Sequence, residues 1–287
     1  MREKPEWLRI RLKQNPHLEQ TEALLESLNL NTVCREANCP NYAECFSKKT
    51  ATLMILGTNC TRNCRFCNVR FDVPTPVDPN EPQRVAEAVK ALSLRYVVIT
   101  SVTRDDLSDG GAMQFAKVIQ AIRQTAPDTA IEVLIPDFQG DLEALKCVTD
   151  AAPDVISHNM ETVKALYPQV RTGADYQRSL NLLREVKKRA PEIRSKSGIM
   201  LGLGETHEQI LELLGDLRAA DCELLTIGQY LAPSHDHHPV QAFIEPKMFD
   251  HYGKLARDKG FSFVASAPLV RSSYQAEEAL KESSTDL

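Results

Sequence analysis

The sequence predicts an α/β protein built on a partial (β/α)6 TIM-type barrel, and three observations carry that expectation. Short β-branched or apolar runs recur along the 287 residues. Segments with helical spacing separate them, and strands alternating with helices of this length form βαβ units around a mainly parallel sheet. Six such units are visible, against the eight of a complete TIM barrel.

The strand candidates are "ATLMIL" (51–56), "RYVVITSV" (95–102), "AIEVLIP" (130–136), "DVISHN" (154–159), "KSGIML" (196–201) and "LLTIGQYL" (224–231). The first helix candidate is "EPQRVAEAVKALSL", where Val85, Ala88, Val89 and Leu92 follow the i, i+3, i+4, i+7 pattern of one helical face. Four further helix candidates follow at 111–124, 141–150, 174–190 and 207–220. A helix around 246–259 and the strand-like "FSFVASAP" (261–268) close the series. A Pro-rich loop, "FDVPTPVDPNEPQ" (71–83), precedes the first helix, and no internal repeat stands out. The organisation expected is an N-terminal extension (1–48), a core (49–264) and a C-terminal extension (265–287).

Composition narrows the function classes. Hydrophobic residues make up 43% and charged residues 25%, as in ordinary globular proteins. The net charge of −5 argues against nucleic acid as a partner, which calls for a basic face. No apolar run approaches the roughly 20 residues of a membrane span. The charged start "MREKPEWLRIRLKQNPHLEQ" lacks the apolar stretch of a secretory signal. A cytoplasmic location follows as an expectation, and there clustered thiols bind metal or do redox chemistry more often than they form disulfides. Nothing in the sequence demands more than a monomer.

Six of the eight cysteines fall between Cys34 and Cys67, in two groups of three. Cys60, Cys64 and Cys67 follow the first predicted strand with C-x3-C-x2-C spacing. The C-terminal edge of a parallel βα sheet is where active sites sit. Three thiolates on one loop can hold three irons of a [4Fe–4S] cube and leave the fourth iron open to a small molecule. A structural zinc site takes four protein ligands, so a zinc knuckle here requires a distant fourth residue. Cys34, Cys39 and Cys45 have C-x4-C-x5-C spacing, looser than a ferredoxin run, and zinc stays open for them on spacing alone. Cys147 and Cys222 lie in amphipathic segments and read as buried apolar thiols. "SHDHHP" (234–239) places His235, His237 and His238 together, but adjacent loop histidines rarely converge on one ion, so it reads as a substrate-facing or exposed loop.

The C-x3-C-x2-C loop after a first strand resembles the signature of radical S-adenosylmethionine enzymes. With the earlier triplet, the whole chain resembles the lipoyl synthase family. The matching segments are "KPEWLR" (4–9), "CREANCPNYAECF" (34–46), "TRDDLSDGGAMQF" (103–115), "SHNMETV" (157–163), "MLGLGET" (200–206), "TIGQYLAPS" (226–234) and "PLVRSSY" (268–274). Departures are small: Ala267 stands where Gly is expected, Gln275 replaces a His after the Tyr, and "DHHPV" lacks a Leu before its Pro. None removes a cluster ligand.

The resemblance implies two [4Fe–4S] clusters and S-adenosylmethionine as cofactors. Cys60, Cys64 and Cys67 would hold the cluster whose open iron chelates the amino and carboxylate groups of S-adenosylmethionine. Its reductive cleavage would release methionine and a 5′-deoxyadenosyl radical. Thr100 and Ser101 would lie near the methionyl amino group, Asn159 near the ribose, and "GIMLGLGE" (198–205) with Glu205 near the adenine. Arg171, Lys196 and Arg271 are candidates for the carboxylate or the cluster sulfurs. An auxiliary cluster would sit on Cys34, Cys39 and Cys45 with Ser273, the second serine of "RSSY", as fourth ligand, and would be consumed as the sulfur source. An iron held by a hard oxygen releases more readily than one held by thiolate.

The implied reaction inserts sulfur at C6 and C8 of an octanoyl-lysine carried on a lipoyl domain of a 2-oxoacid dehydrogenase acyltransferase or on the glycine-cleavage H protein. A ferredoxin or flavodoxin would supply electrons, and the two terminal extensions would cover the open end of the barrel. Residues 2–13 hold five basic residues (Arg2, Lys4, Arg9, Arg11, Lys13) against Glu3 and Glu6, which suits docking of an acidic carrier with Trp7 as an apolar anchor. A solvated tail with one packed tryptophan is the alternative. Two other classes remain at this stage: a radical enzyme using its second cluster for electron transfer, and a non-catalytic iron–sulfur or zinc protein.

Overall fold

The computed structural model describes residues 3–9, 16–36, 39, 41, 52–273 and 278. Arg2, Arg11, Lys13, Cys45 and Gln275 lie outside the described residues. The chain divides into two compact units, one of Ile10–Arg62 with Asn68–Ile156, the other of Met1–Arg9, Asn63–Cys67 and Ser157–Leu287.

The first unit opens with helix α1 (Pro16–Ser27) and the short pair β1 (Asn31–Thr32) and α2 (Val33–Glu36). Strand β2 (Thr52–Ile55) takes β1 antiparallel on one side, with Asn31 opposite Met54. The two-residue strands β3 (Asn59–Cys60) and β4 (Arg70–Phe71) pair beyond it, and helix α3 (Glu81–Ala91) follows. Strand β5 (Tyr96–Ser101) lies parallel to β2, and after helix α4 (Ala112–Thr125) strand β6 (Ala130–Leu134) lies parallel to β5. Helix α5 (Leu142–Asp150) completes the series, its first turn capped by the Asp141 carboxylate, which accepts from Glu143 N and Ala144 N. Val85, Ala88, Val89 and Leu92 are all buried, so α3 presents the face its sequence spacing predicts.

Strand β7 (Val155–Ser157) carries the chain into the second unit. There, α6 (Tyr167–Val170) and α7 (Tyr176–Arg189) precede β8 (Arg194–Leu201), and α8 (His207–Ala219) leads to β9 (Leu224–Gln229). Helix α9 (Pro246–Asp258) leads to β10 (Phe263–Ser266). β8, β9 and β10 are parallel, with Lys196 opposite Leu224 and Leu224 opposite Phe263. Ile199, Leu201, Leu225 and Ile227 pack with Leu183, Leu213, Leu217 and Phe249 in one core. Thr206 and Gln209 form a reciprocal capping box at the start of α8. Strand-then-helix recurs six times from β2 to α9, the order of a partial (β/α)6 barrel. No helix among the described residues is long and apolar enough to cross a membrane.

The sequence reading placed each core strand and helix to within a few residues but did not assign α1. The described side chains of α1 bury only Thr21 and Leu25, one turn apart, so its apolar stripe is too narrow to show.

One corner of the first unit sets the start of the cysteine loop. After β2, Leu56 turns into the left-handed region at φ 67°, and Gly57 follows at φ 90°. A leucine in that region costs on the order of 1–3 kcal/mol and persists only where its surroundings fix it. Here Leu56 N donates to both oxygens of Glu81 at 3.1 Å. The Arg104 guanidinium donates to Leu56 O at 3.3 Å, and Gln114 Nε2 donates to Glu81 at 2.9 Å. Glu81→Ala strips the acceptor from two buried donors and should lower stability by about 3 kcal/mol. A urea titration measures this loss, with accelerated amide hydrogen exchange at Leu56; an unchanged midpoint would contradict the role given to Glu81.

Candidate metal and cofactor site

The cysteine loop has almost no regular structure, so its polar backbone must find partners elsewhere. In the first unit, Cys60 Sγ accepts from the amides of Arg62 (3.4 Å) and Thr103 (3.3 Å). Two amide donors on one sulfur suit a metal-bound thiolate, whose charge can accept both. Thr61 donates to Thr103 O through both its amide and its hydroxyl, each at 3.0 Å, and its Oγ1 accepts from Asp105 N. The Arg62 guanidinium is clamped by Asp105 (2.6 and 2.8 Å) and Asp137 (2.6 Å), with side-chain exposures of 7% for Arg62 and 0% for Asp137. Burial pushes the Arg62 pKa down, but the two carboxylates raise it above the ordinary arginine value, so the clamp stays charged. Sequence reasoning missed Arg62, Thr103, Asp105 and Asp137. Thr103 and Asp105 lie in the matching segment "TRDDLSDGG", Arg62 stands inside the cysteine loop itself, and Asp137 follows the third predicted strand.

The second half of the loop is held within the second unit. Arg65 N donates to Val170 O (2.9 Å), Cys67 N donates to Cys64 O (3.0 Å), and Cys64 Sγ lies 3.9 Å from Thr172 O. Phe66 packs against Val170, Leu203 and Tyr230. The histidine loop supplies the remaining donors. His238 N donates to Arg65 O at 2.7 Å, and Arg65 donates to Asp236 O at 3.2 Å. His237 Nε2 lies 3.0 Å from Cys67 O, and His237 Nδ1 lies 2.8 Å from Ser234 Oγ. A carbonyl only accepts, so Nε2 carries the proton and the serine hydroxyl donates to Nδ1. His238 Nε2 donates likewise to Leu203 O at 2.8 Å. Of the three histidines His235 is exposed, while His237 and His238 are half-buried and brace the cysteine loop.

The other anticipated residues fall as follows. Thr100, buried near the end of β5, donates its hydroxyl to Leu134 O at 3.1 Å. Ser101 ends the same strand, and its Oγ is buried with no hydrogen-bond partner among the described residues. Asn159 follows β7, and its Nδ2 donates to Glu161 Oε1 at 3.0 Å while its Oδ1 is likewise buried and unpartnered. Gly198 of β8 makes room beside it, since a Cβ there would stand 2.8 Å from Asn159 Oδ1. Glu205 is engaged by its own turn, accepting from the amides of Gly202 (2.6 Å), Leu203 (2.9 Å) and Gly204 (3.0 Å).

Arg171 donates to Tyr167 OH (2.7 Å) and Ser179 Oγ (3.1 Å), and its charge lies close enough to Glu161 and Cys64 to interact with both. Burial pushes the Glu161 carboxyl above its ordinary range. Lys196 is 1% exposed in the first half of β8, and Arg271 donates to Val270 O at 2.7 Å.

In the earlier triplet, Cys34 is buried in α2, and Cys39 N donates to Cys34 O at 3.1 Å. Burial pushes the Cys34 thiol up to about 11, so binding a metal there displaces a proton. Ser273 is half-buried in a turn after β10. Cys222 is fully buried, as anticipated, and Cys147 is half-buried. Among the described residues no three His, Cys, Asp or Glu side chains surround a single point as one ion requires. Thiolates around a cube each meet a different iron and stand further apart than ligands of one ion.

Comparison with known proteins gives the family. The profile of the Radical SAM superfamily matches residues 54–217. A lipoyl synthase of Alkaliphilus metalliredigens is 56% identical over 282 residues, covering 98% of this chain and 97% of its own. A lipoyl synthase of Caldicellulosiruptor saccharolyticus is 58% identical over 278 residues, covering 97% of this chain and 98% of its own. Among solved structures, methylornithine synthase (PylB) matches with a TM-score of 0.54 at 15% identity, over 88% of this chain and 82% of its own. HydG, a maturase of the [FeFe]-hydrogenase, matches with a TM-score of 0.56 at 14% identity, over 92% of this chain and 67% of its own. These two show the fold alone. With relatives this similar along nearly its whole length, the chain belongs to the lipoyl synthase family of the radical S-adenosylmethionine superfamily.

Proposed function

We propose that the chain inserts sulfur at C6 and C8 of an octanoyl-lysine on a lipoyl carrier domain, with Cys60, Cys64 and Cys67 as ligands of the cluster that meets S-adenosylmethionine. The observation that carries this reading is the cysteine loop at the end of β2, with two amides on the Cys60 sulfur, in a chain that shares its full length with lipoyl synthases. When bound, S-adenosylmethionine and its cluster supply a 5′-deoxyadenosyl radical that abstracts hydrogen, and a second cluster supplies the sulfur.

The residues present fit these groups. Three thiols on one loop leave one iron without a protein ligand. Among the described residues Ser101 Oγ and Asn159 Oδ1 are buried without partners, a state native proteins rarely leave unexplained, and each stands at the C-terminal end of a strand. Ser101 would meet the methionyl amino group and Asn159 the ribose. Thr100 and Glu205 would contribute by position, Thr100 by fixing the end of β5 and Glu205 by shaping the 202–205 turn under the adenine. Cys34, Cys39, Cys45 and Ser273 would hold the second cluster, with the segments 1–48 and 265–287 forming its surroundings.

The partners would be the octanoylated acyltransferase subunits of 2-oxoacid dehydrogenases or the glycine-cleavage H protein, and a ferredoxin or flavodoxin as electron donor. Trp7 is exposed, as an anchor for a carrier requires, and the Arg9 guanidinium bonds Glu3 at 2.8 Å. A cytoplasmic monomer is the state proposed.

Three measurements test this reading. Ser101→Ala removes a hydroxyl that bonds nothing among the described residues, so thermal stability should hold while S-adenosylmethionine affinity falls about tenfold, equivalent to ~1.4 kcal/mol; equal affinity in equilibrium dialysis removes Ser101 from the site. His237→Leu breaks the bond to the Cys67 carbonyl, whereas His237→Gln retains a donor. Iron should leave the Leu variant several-fold faster under a chelator and leave the Gln variant at nearly the native rate; three equal rates would show that His237 does not brace the ligand. Reduced enzyme given S-adenosylmethionine and an octanoyl-lysine peptide should yield a peptide mass consistent with two added sulfurs. Cys39→Ala should still release 5′-deoxyadenosine but form no thiolated peptide; if cleavage alone is lost, the division between the two triplets is wrong.

A further inference from the structure

Within the first unit, one side chain ties the earlier cysteine triplet to the loop that carries the later one. Asn68, the residue after Cys67, is half-buried, and its Nδ2 donates to Glu36 O at 2.7 Å. Glu36 ends α2 and stands between Cys34 and Cys39 in the chain. The carbonyls of a helix's last turn have no partner inside the helix and take one from elsewhere. Here Cys34 O takes the Cys39 amide at 3.1 Å, and Glu36 O takes Asn68. The backbone that leads from the first thiol to the second is therefore pinned once by its own motif and once by the other.

Asn68 is itself held in register with the cysteine loop. Two residues further on, β4 runs parallel to β3 with Phe71 opposite Cys60. Asn59 Nδ2 donates to Val73 O at 2.8 Å and locks the same pairing from the side. A second anchor acts at the start of β2, where the Cys34 thiol accepts from the amide and hydroxyl of Thr52. The far end of β2 turns through Leu56 and Gly57 into the cysteine loop. Thr52 thus fixes the Cys34 sulfur, while Asn68 fixes the carbonyl of Glu36 against the frame that carries Cys60.

We propose that Asn68 is a positioning residue that sets the separation of the two clusters, by holding the Cys34–Cys39 segment at a fixed distance from Cys60. This rests on the reading in which both triplets carry clusters, and it adds what fixes their spacing. Asn68 touches no reacting atom and acts only through the Glu36 carbonyl. A carbon radical generated at one cluster has to meet sulfur held at the other, and a displacement on the order of 1 Å between reacting groups can cost about a hundredfold in rate. Loosened spacing therefore costs sulfur insertion before it costs cleavage of S-adenosylmethionine.

The test compares anaerobic native holoenzyme with Asn68→Leu, which keeps the bulk and loses the donor, and with Asn68→Gln, which keeps a donor one methylene further out. Native iron and sulfide per chain show that a variant has folded and carries both clusters. In the Leu variant, amide hydrogen exchange over residues 34–39 should quicken about fivefold, the worth of one net hydrogen bond, with β5 and β6 exchanging at native rates. Magnetic coupling between the two reduced clusters, read by EPR, should weaken. The 5′-deoxyadenosine released per thiolated peptide should rise several-fold. The Gln variant should stand nearer the native enzyme in all three measurements, a rescue that bulk packing at this position does not explain. Native coupling and a native product ratio in the Leu variant overturn the proposal. So does a Leu variant that loses the iron of one cluster, because Asn68 would then govern retention of a cluster and not its spacing. If either result is found while the native enzyme inserts sulfur, the tether is wrong and the sulfur-insertion reading stands. A native enzyme that forms no thiolated peptide overturns the reading on which the tether rests.

Discussion

The constraint on which the site depends is backbone hydrogen bonding along the segment from Leu56 to Cys67. A chain that leaves a strand without entering a helix gives up the partners those structures provide, and a buried amide or carbonyl without one costs about 1–3 kcal/mol. Neighbouring segments meet the need. Glu81 and Arg104 hold the two polar groups of Leu56, and Thr103 both donates to Cys60 and accepts from Thr61. Val170, His237 and His238 take up Arg65 and Cys67. Each partner lies far along the chain, so the loop has its shape only when the fold around it is complete. A loop braced in this way loses less entropy when it takes a ligand than one that must first be ordered.

The same dependence explains what the sequence revealed and what it did not. The periodicity of Val85, Ala88, Val89 and Leu92 is local, and the helix it predicts is present with that face buried. The C-x3-C-x2-C spacing is equally local and lies where a βα order puts its functional edge. The Arg62–Asp105–Asp137 clamp joins residues 43 and 75 positions apart. The bond from His237 to Cys67 spans 170 positions. No window of sequence holds both partners of such contacts, so the histidine loop reads as substrate-facing or exposed, with no sign that two of its rings brace backbone carbonyls. The Glu205 carboxylate, a candidate for the adenine, also accepts from three amides of its own turn, a bond set its sequence position does not announce. Turn chemistry of that kind shows only once the φ angles of Gly202 and Gly204, 97° and 117°, are known.

Close approach, rather than any single reactive group, shapes the strand ends of the second unit. At Gly202 an added Cβ would run into the Ala242 carbonyl and the Gln229 amide. Gln229 is fully buried and bonds four backbone groups: its Nε2 donates to Leu201 O, Tyr230 O and Ala242 O, and its Oε1 accepts from Ile244 N. One amide side chain thus ties the end of β8 to the segment after β9. Losing it would leave several buried groups unpaired at once, because a buried network is stable only when every member is satisfied.

Ser101 Oγ and Asn159 Oδ1 invert that economy. Gln229 makes its bonds inside the protein, whereas these two buried atoms make none among the described residues. A buried polar atom without a partner costs about 1–3 kcal/mol, which a correctly placed donor or acceptor on a ligand would remove. Affinity obtained in this way comes from relieving a deficit in the fold, and it is selective, since a ligand lacking the matching group leaves the deficit in place. It also couples binding to stability: any ligand that binds only the folded chain raises its stability in proportion to RT ln(1 + [L]/Kd). A ligand whose polar groups met both atoms would raise that stability most.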